Sequence, residues 1–161
     1  MHSVNTEFNI DNALQSLARK IESDHISSKN SLPLVMICMA DEALTFFNEL
    51  LKNLNLDREI DYINADINEN DEIYFTKDLT IDLKGKRVYV VTDVIDSNRI
   101  ALEILLKISD RIPVDVKFIT LYNHTNTTMP IDYYCCDTDD LVDITAKTIN
   151  LSKNYKHIFK K

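Results

Sequence analysis

The residues best suited to chemistry stand in Val90-Val91-Thr92-Asp93-Val94-Ile95-Asp96-Ser97-Asn98-Arg99, where an apolar run ends in two carboxylates and a Ser-Asn-Arg cluster follows. That cluster opens a helical pattern. Free N–H groups and the dipole at a helix start favour a phosphate, and Arg99 adds a countercharge. These residue types suit a phosphate and sugar site. A plainer reading stands beside it, in which Asp96 or Ser97 caps the helix and Asp93 is a solvated loop residue. Elsewhere the chemistry-bearing residues are scattered. His2, His25, His124 and His157 make no metal-ligand spacing. Cys38, Cys135 and Cys136 are odd in number and lack C-x-x-C spacing, which supports neither a disulfide framework nor a zinc site. Cys135 and Cys136 read as packed, inert thiols.

The elements that must position these residues follow from hydrophobic periodicity. Ile10, Ala13, Leu14, Leu17 and Ile21 mark a first helix, and Ser27 to Ser31 reads as a loop. Leu34 to Met39 is an apolar run of strand length, suited to burial on both faces. Ala43, Phe46, Phe47, Leu50, Leu51 and Leu54 give an amphipathic helix, and Glu59 to Ala65 the next strand. Asp66 to Asp71 is polar and acidic, and Ile73 to Phe75 a short strand before the turn that carries Gly85. Arg87 to Thr92 is a second buried strand, Asp93 to Ser97 a loop, and Ala101, Ile104, Leu105 and Ile108 a further helical stripe. A third apolar strand runs from Val114 to Leu121. Near the end, Asp132 to Cys136 and Leu141 to Ile149 are candidate strands, with Asp137, Asp139 and Asp140 as an acidic turn between them. Strands alternating with helices predict an α/β fold with right-handed parallel crossovers, whose ligand lies beyond the carboxyl ends of the strands.

Composition narrows the classes. There are 18 Lys+Arg against 26 Asp+Glu in 161 residues, a formal charge of −8, which argues against sequence-independent nucleic-acid binding. A hydrophobic content of 45% with 27% charged residues is ordinary for a single globular domain. Average usage would give about eleven glycines. Only Gly85 is present, so neither G-x-G-x-x-G nor G-x-x-x-x-G-K-[ST] can be written. The N-terminal MHSVNTEFNIDNAL has no cationic stretch leading into an apolar one, and the run from Leu32 to Ala40 is too short to span a bilayer. A cytoplasmic protein with no membrane partner is expected, which leaves the Asn-x-Ser/Thr triplets at Asn123, Asn126 and Asn150 as chance matches.

Strand-Asp93-Val94-Ile95-Asp96-Ser97-Asn98-Arg99-helix resembles the phosphoribosyl pyrophosphate signature of type I phosphoribosyltransferases, in which two acids and a D-T-G-K-T-like loop follow an apolar strand. Further stretches resemble the hypoxanthine-guanine branch. They are Pro33 to Cys38 followed by Phe46 to Leu51, Glu59 to Ile63, Asp82 to Val88, and the late Asp132-Tyr133-Tyr134. The resemblance implies a central, mostly parallel sheet flanked by helices, with a small hood region from the chain ends. Residues 1–161 would form one domain, with Asn64 to Leu83 a mobile loop or small hairpin. It also implies transfer of ribose 5-phosphate from phosphoribosyl pyrophosphate to a purine, magnesium (Mg2+) holding the pyrophosphate.

Carried over position by position, the resemblance assigns Asp93 to the ribose hydroxyls, and through the ribose to magnesium, and Asp96 to the purine N7. The N–H groups of Ser97, Asn98, Arg99 and Ile100 would hold the 5-phosphate, Asn98 standing where the family has Gly. Asn123 and Leu141 fall on the base-contacting Lys and the stacking aromatic, and Ala40-Asp41-Glu42 on the pyrophosphate loop. Several positions depart from the family. Thr92 replaces an acid, Thr148 another acid, and the Ser-Tyr pair of the mobile loop has no counterpart in Asn64 to Asn70. Asp41 and Glu42 would repel pyrophosphate, and the favoured reading makes them first-turn acids of the following helix.

Two functions are therefore held. One is a degenerate relative that binds a purine nucleotide or phosphoribosyl pyrophosphate as a sensor or partner subunit, and this is the favoured one. The other is an active purine phosphoribosyltransferase. The resemblance implies a homo-oligomer, or a hetero-oligomer with an active relative, with Tyr62 and Phe75 as interface candidates.

Overall fold

Strand β1 (Leu34–Met39) is apolar at every position, and a strand of that kind must be covered on both faces. The computed structural model, which describes residues 10–27, 32–95, 97–124 and 128–138, shows how this is done. Around β1 lie β2 (Glu59–Ile67), β3 (Ile73–Lys77), β4 (Arg87–Thr92), β5 (Asp115–His124) and β6 (Tyr133–Thr138), with helices α1 (Ile10–Ser27), α2 (Leu44–Asn53) and α3 (Asn98–Ser109). The strands form one sheet in the order β3-β2-β1-β4-β5-β6. Strand β3 runs antiparallel at one edge, and the other pairings are parallel. This is the expected α/β architecture.

From β1 the chain steps outward to β2, and from β4 it steps outward in the opposite direction to β5. Crossovers of one hand then place α2 and α3 on opposite faces of the sheet, and the core divides accordingly. Leu34, Met36 and Cys38 pack with Phe46, Phe47 and Leu50 of α2 and with Leu14, Leu17 and Ile21 of α1. Val35 and Ile37 alternate to the other face, with Val88 and Val90 of β4 and Ala101, Ile104 and Ile108 of α3. Each such side chain contributes about 1.5–3 kcal/mol on burial. Tyr133 ties α1 to β6 by donating its hydroxyl to Asp24 Oδ2 at 2.8 Å. Among the described residues no helix is long and apolar enough to cross a membrane.

The stretch from Asn64 to Leu83 comprises the end of β2, a tight turn, β3 and a return segment. In the turn, Asn68 Oδ1 accepts from Asn70 N and Glu72 N, both at 2.9 Å, while Asp71 takes a left-handed φ of 61°. A type I turn followed by a left-handed residue is a common three-residue hairpin connection, and Asp tolerates that conformation better than most residues. The return segment is held by Asp61. Its buried carboxylate accepts from Thr80 N at 2.7 Å, Ile81 N at 3.0 Å, Tyr62 N at 2.9 Å and Thr80 Oγ1 at 3.2 Å. Leu79 and Leu83 are buried beside it. The single glycine, Gly85, has a φ of 73° in the turn into β4, and a Cβ there would meet nothing within 4 Å. Backbone conformation rather than space asks for glycine at that point.

Some boundaries differ from those read from periodicity. β2 extends to Ile67 because β3 pairs along its polar end, Asp66 opposite Tyr74 and Ile67 opposite Ile73. β5 begins at Asp115, leaving Val114 exposed, and continues to His124. Asp137, expected in an acidic turn, instead pairs in β6 opposite Asn123. The expected strand Leu141 to Ile149, residues 139–161 and the first nine residues expected in the hood lie outside the described residues. Of the interface candidates, Tyr62 packs edge-on against Phe47 at 5.9 Å, and Phe75 lies under Lys107 Nζ, 4.1 Å from its ring centroid.

Burial works to raise the pKa of the Asp61 carboxyl, but the N–H groups of Ile81, Thr80 and Tyr62 and the Thr80 hydroxyl outweigh it and hold the group below its ordinary value. A carboxyl depressed on folding adds stability above the unfolded value, near pH ~3.9, that is lost as pH falls through the folded one. Asp61→Asn is expected to cost about 1.5–3 kcal/mol at neutral pH. In denaturant titrations at several pH values, the deficit should shrink below pH ~4. A pH-independent deficit would count against this role.

Candidate functional site

The reversal of strand order between β1 and β4 leaves a crevice at their carboxyl ends, the ordinary ligand position in such sheets. A cavity of about 350 Å³ occupies it. Its walls are Met39, Ala40, Asp41 and Glu42 after β1, Asn64, Ala65 and Asp66 of β2, Thr92, Asp93 and Val94 after β4, and Ile100 and Ile104 of α3. On the β1 side, Ala40 N donates to the Ile63 carbonyl oxygen at 3.0 Å, and Leu44 N donates to the Asp41 carbonyl oxygen at 3.2 Å. The Ala40–Asp41 peptide bond is cis.

Asp41 and Glu42 are exposed to this cavity. The reading of these two as first-turn acids of α2 is corrected here. That helix begins at Leu44 after an N-cap at Ala43, and its first turn contains no acid. The apolar stripe that starts at Ala43 suggested an earlier helix start than the backbone takes.

On the β4 side, Asp93 is buried at 8% exposure. Its Oδ1 accepts from Val94 N at 2.8 Å and from Thr92 Oγ1 at 3.4 Å. Its carbonyl oxygen accepts from both Leu121 N and Tyr122 N, at 3.0 and 2.9 Å, where two residues of β5 face one beyond β4. Asp93 is thus fixed through both its side chain and its backbone carbonyl. It is not the solvated loop residue of the plainer reading.

The first turn of α3 is arranged differently from the rest. Ser97 is the N-cap, and its Oγ accepts from Ile100 N at 3.3 Å, as the capping reading expects. An anion using that N–H must replace the hydroxyl. Arg99 turns to Asp71, with Nη1 2.7 Å from Oδ1, and Asn98 Oδ1 accepts from Thr128 N at 3.1 Å. Of the residues expected at the phosphate, Ile100 lines the cavity, whereas Ser97, Asn98 and Arg99 do not. Asn123, half-buried at the carboxyl end of β5, does not line it either. Asp96, Leu141 and Thr148 lie outside the described residues. Asn64, Asp66, Val94 and Ile104 were not expected; Asn64 falls within the expected strand, and Asp66 could have been found only by knowing that β2 runs past Ala65.

Among the described residues no group of three His, Cys, Asp or Glu side chains could by itself hold a metal ion. A second cavity of about 480 Å³ shares the wall of Ala40, Asp41 and Asn64 and adds Leu44, Tyr62, Thr76 and Lys77.

A model of the phosphoribosyl transferase domain matches residues 5–156. The chain belongs to the phosphoribosyl transferase domain family. Among curated relatives it is 32% identical over 107 residues to the hypoxanthine-guanine-xanthine phosphoribosyltransferase of Tritrichomonas foetus, a match covering 62% of this chain and 58% of that protein. It is 24% identical over 121 residues to the hypoxanthine phosphoribosyltransferase of Buchnera aphidicola subsp. Schizaphis graminum, covering 72% of this chain and 67% of that one. Among solved structures, a hypoxanthine-guanine phosphoribosyltransferase from Bacillus anthracis superposes with a TM-score of 0.72 at 24% identity, covering 81% of this chain and 78% of that one. The fold of this phosphoribosyltransferase relative is thereby shared with that enzyme.

Directly under the site, Cys38 is fully buried, and its thiol is pushed up to about 12 by burial first and then by the carboxylates of Asp93 and Asp41. A thiol so placed is almost wholly protonated at pH 8 and unreactive. With iodoacetamide at that pH, the peptide carrying Cys38 should stay unmodified in the native protein and become labelled in denaturant. Rapid native labelling would show that the floor of the site is open.

Proposed function

We propose that this phosphoribosyltransferase relative binds a purine nucleotide with its pyrophosphate-side chemistry lost or much reduced, acting as a nucleotide sensor or as the partner subunit of an active relative. The observation that carries this reading is the wall at the pyrophosphate position, where Asp41 and Glu42 face the cavity and no described residue lining it is Lys or Arg, Lys77 belonging to the adjoining cavity. Unit charges 4 Å apart interact by about 1 kcal/mol in water and by about 4 kcal/mol at an effective dielectric near 20. Pyrophosphate is repelled by such a wall. A ribose is accepted by it, because carboxylates such as Asp93 take hydroxyl hydrogen bonds.

Magnesium suits these hard carboxylate oxygens. It is usually held by one or two carboxylates together with water and substrate phosphates, so Asp93 and Asp41 would hold it jointly with a phosphate-bearing ligand rather than as a closed protein cage. When bound it would offset the negative wall. The second reading, an active enzyme forming nucleoside monophosphate and pyrophosphate, is favoured by the 32% identity to the Tritrichomonas enzyme.

The two readings separate in one assay containing protein, magnesium, phosphoribosyl pyrophosphate and hypoxanthine, guanine, xanthine or adenine. No pyrophosphate or nucleotide above background is expected; turnover by the wild type that Asp96→Asn abolishes would establish the active enzyme instead. A nucleoside monophosphate at 100 times its dissociation constant should add about 2.7 kcal/mol of stability, and no shift with any nucleotide would leave only a scaffold.

The wall itself is tested by Asp41→Asn with Glu42→Gln. Two unit charges of about 1 kcal/mol each predict pyrophosphate binding tightened by at least about tenfold in calorimetry. Unchanged affinity would show that these carboxylates do not set the preference.

A further inference from the structure

The one arginine placed by sequence to serve a phosphate at α3 is engaged elsewhere. Arg99 donates from Nη1 to Asp71 Oδ1 at 2.7 Å and from Nη2 to the Asp71 carbonyl oxygen. Both acceptors belong to a preformed loop. Asn68 braces it through Asn70 N and Glu72 N, and the left-handed Asp71 turns its carboxylate and its carbonyl to the same guanidinium. The loop therefore crosses from the carboxyl end of β2 to the first turn of α3.

We propose that the β2–β3 loop is a latch on α3, and that Asp71 competes with the phosphate of a nucleoside monophosphate for Arg99. The competition rests on the reading above that the first turn of α3 takes a phosphate. Arg99 uses two of its five N–H donors on Asp71, so the competition is one of charge and reach. A phosphate at the first turn of α3 must share a single positive charge with the Asp71 carboxylate, and drawing the guanidinium towards the phosphate lengthens its contacts to Asp71. Ligand binding then loosens the loop, and loop docking weakens the ligand. Both partners are well exposed, with side-chain exposures of 49% for Arg99 and 82% for Asp71. Exposed pairs of this kind are weak, so the expected effect is about two- to fivefold in affinity. It should fade with added salt.

Asp71→Asn is the variant of choice, since Asn also adopts left-handed φ and the loop keeps its shape. In calorimetry with inosine monophosphate on the full chain, Asp71→Asn should bind about two- to fivefold more tightly than wild type. Arg99→Ala should bind more weakly, and adding Asp71→Asn to Arg99→Ala should change nothing further. Hydrogen exchange of amides 68–72 should quicken in Arg99→Ala and also on adding the monophosphate to wild type. Equal affinity in wild type and Asp71→Asn would overturn the latch while leaving the nucleotide reading intact. Absence of binding in both proteins would overturn the nucleotide reading and the competition with it. Unchanged exchange in Arg99→Ala would show that the ion pair does not hold the loop.

Discussion

The opposite directions in which the chain leaves β1 and β4 form the constraint on which the rest of the structure depends. Two parallel neighbours whose connections diverge leave a crevice that no crossover covers. Everything after β1 and everything after β4 must then face a common space. Asp41 and Glu42 come to the same cavity as Asp93 for this reason, despite their separation in sequence. The crevice has a firm base because the two strands beside it are buried on both faces, with α1 and α2 on one side and α3 on the other.

What that crevice presents to a ligand is a matter of charge. Asp41, Glu42, Asp66 and Asp93 line it, and Asp93 and Asp41 add to the effect of burial, which is the main cause, in raising the nearby Cys38 thiol. Arg99 stands close in sequence to the site but turns to the β2–β3 loop, while Arg87 lies at the opposite end of β4, 3.1 Å from Asp115. The turn proposed to take the phosphate contains no glycine. Ser97 closes the first turn of α3 on its own hydroxyl, an arrangement that satisfies a backbone N–H and that a bound anion would have to displace. Family membership therefore supplies the fold, while the choice of ligand proposed above rests on the side chains that line the crevice.

Much of this was legible in the sequence. β1, β4, α2 and α3 were readable because each buries a continuous run or a clean helical stripe, and burial of that kind leaves little choice of conformation. The edge elements were less so. β3 exists because the end of β2 offers it a partner, and Asp137 belongs to β6 because Asn123 pairs with it; neither fact is written in local residue types. Asp93 and the Ala40 to Glu42 turn were readable as the residues that follow buried strands. Asp41 and Glu42 were placed inside a helix that begins at Leu44, two to three residues beyond them, since an apolar stripe marks the face of a helix better than its first residue. The Asp71 to Arg99 contact lies beyond any local pattern, for it joins two loops brought together only by the folded sheet.

The most direct measurement is a crystal structure of the protein with a purine nucleoside monophosphate bound. The expected density has its ribose against Asp93, its phosphate at the first turn of α3 and nothing anionic beside Asp41 and Glu42. Density for the ligand away from the crevice between β1 and β4, or a phosphate seated against Asp41 and Glu42 without a cation, would contradict the assignment of the site.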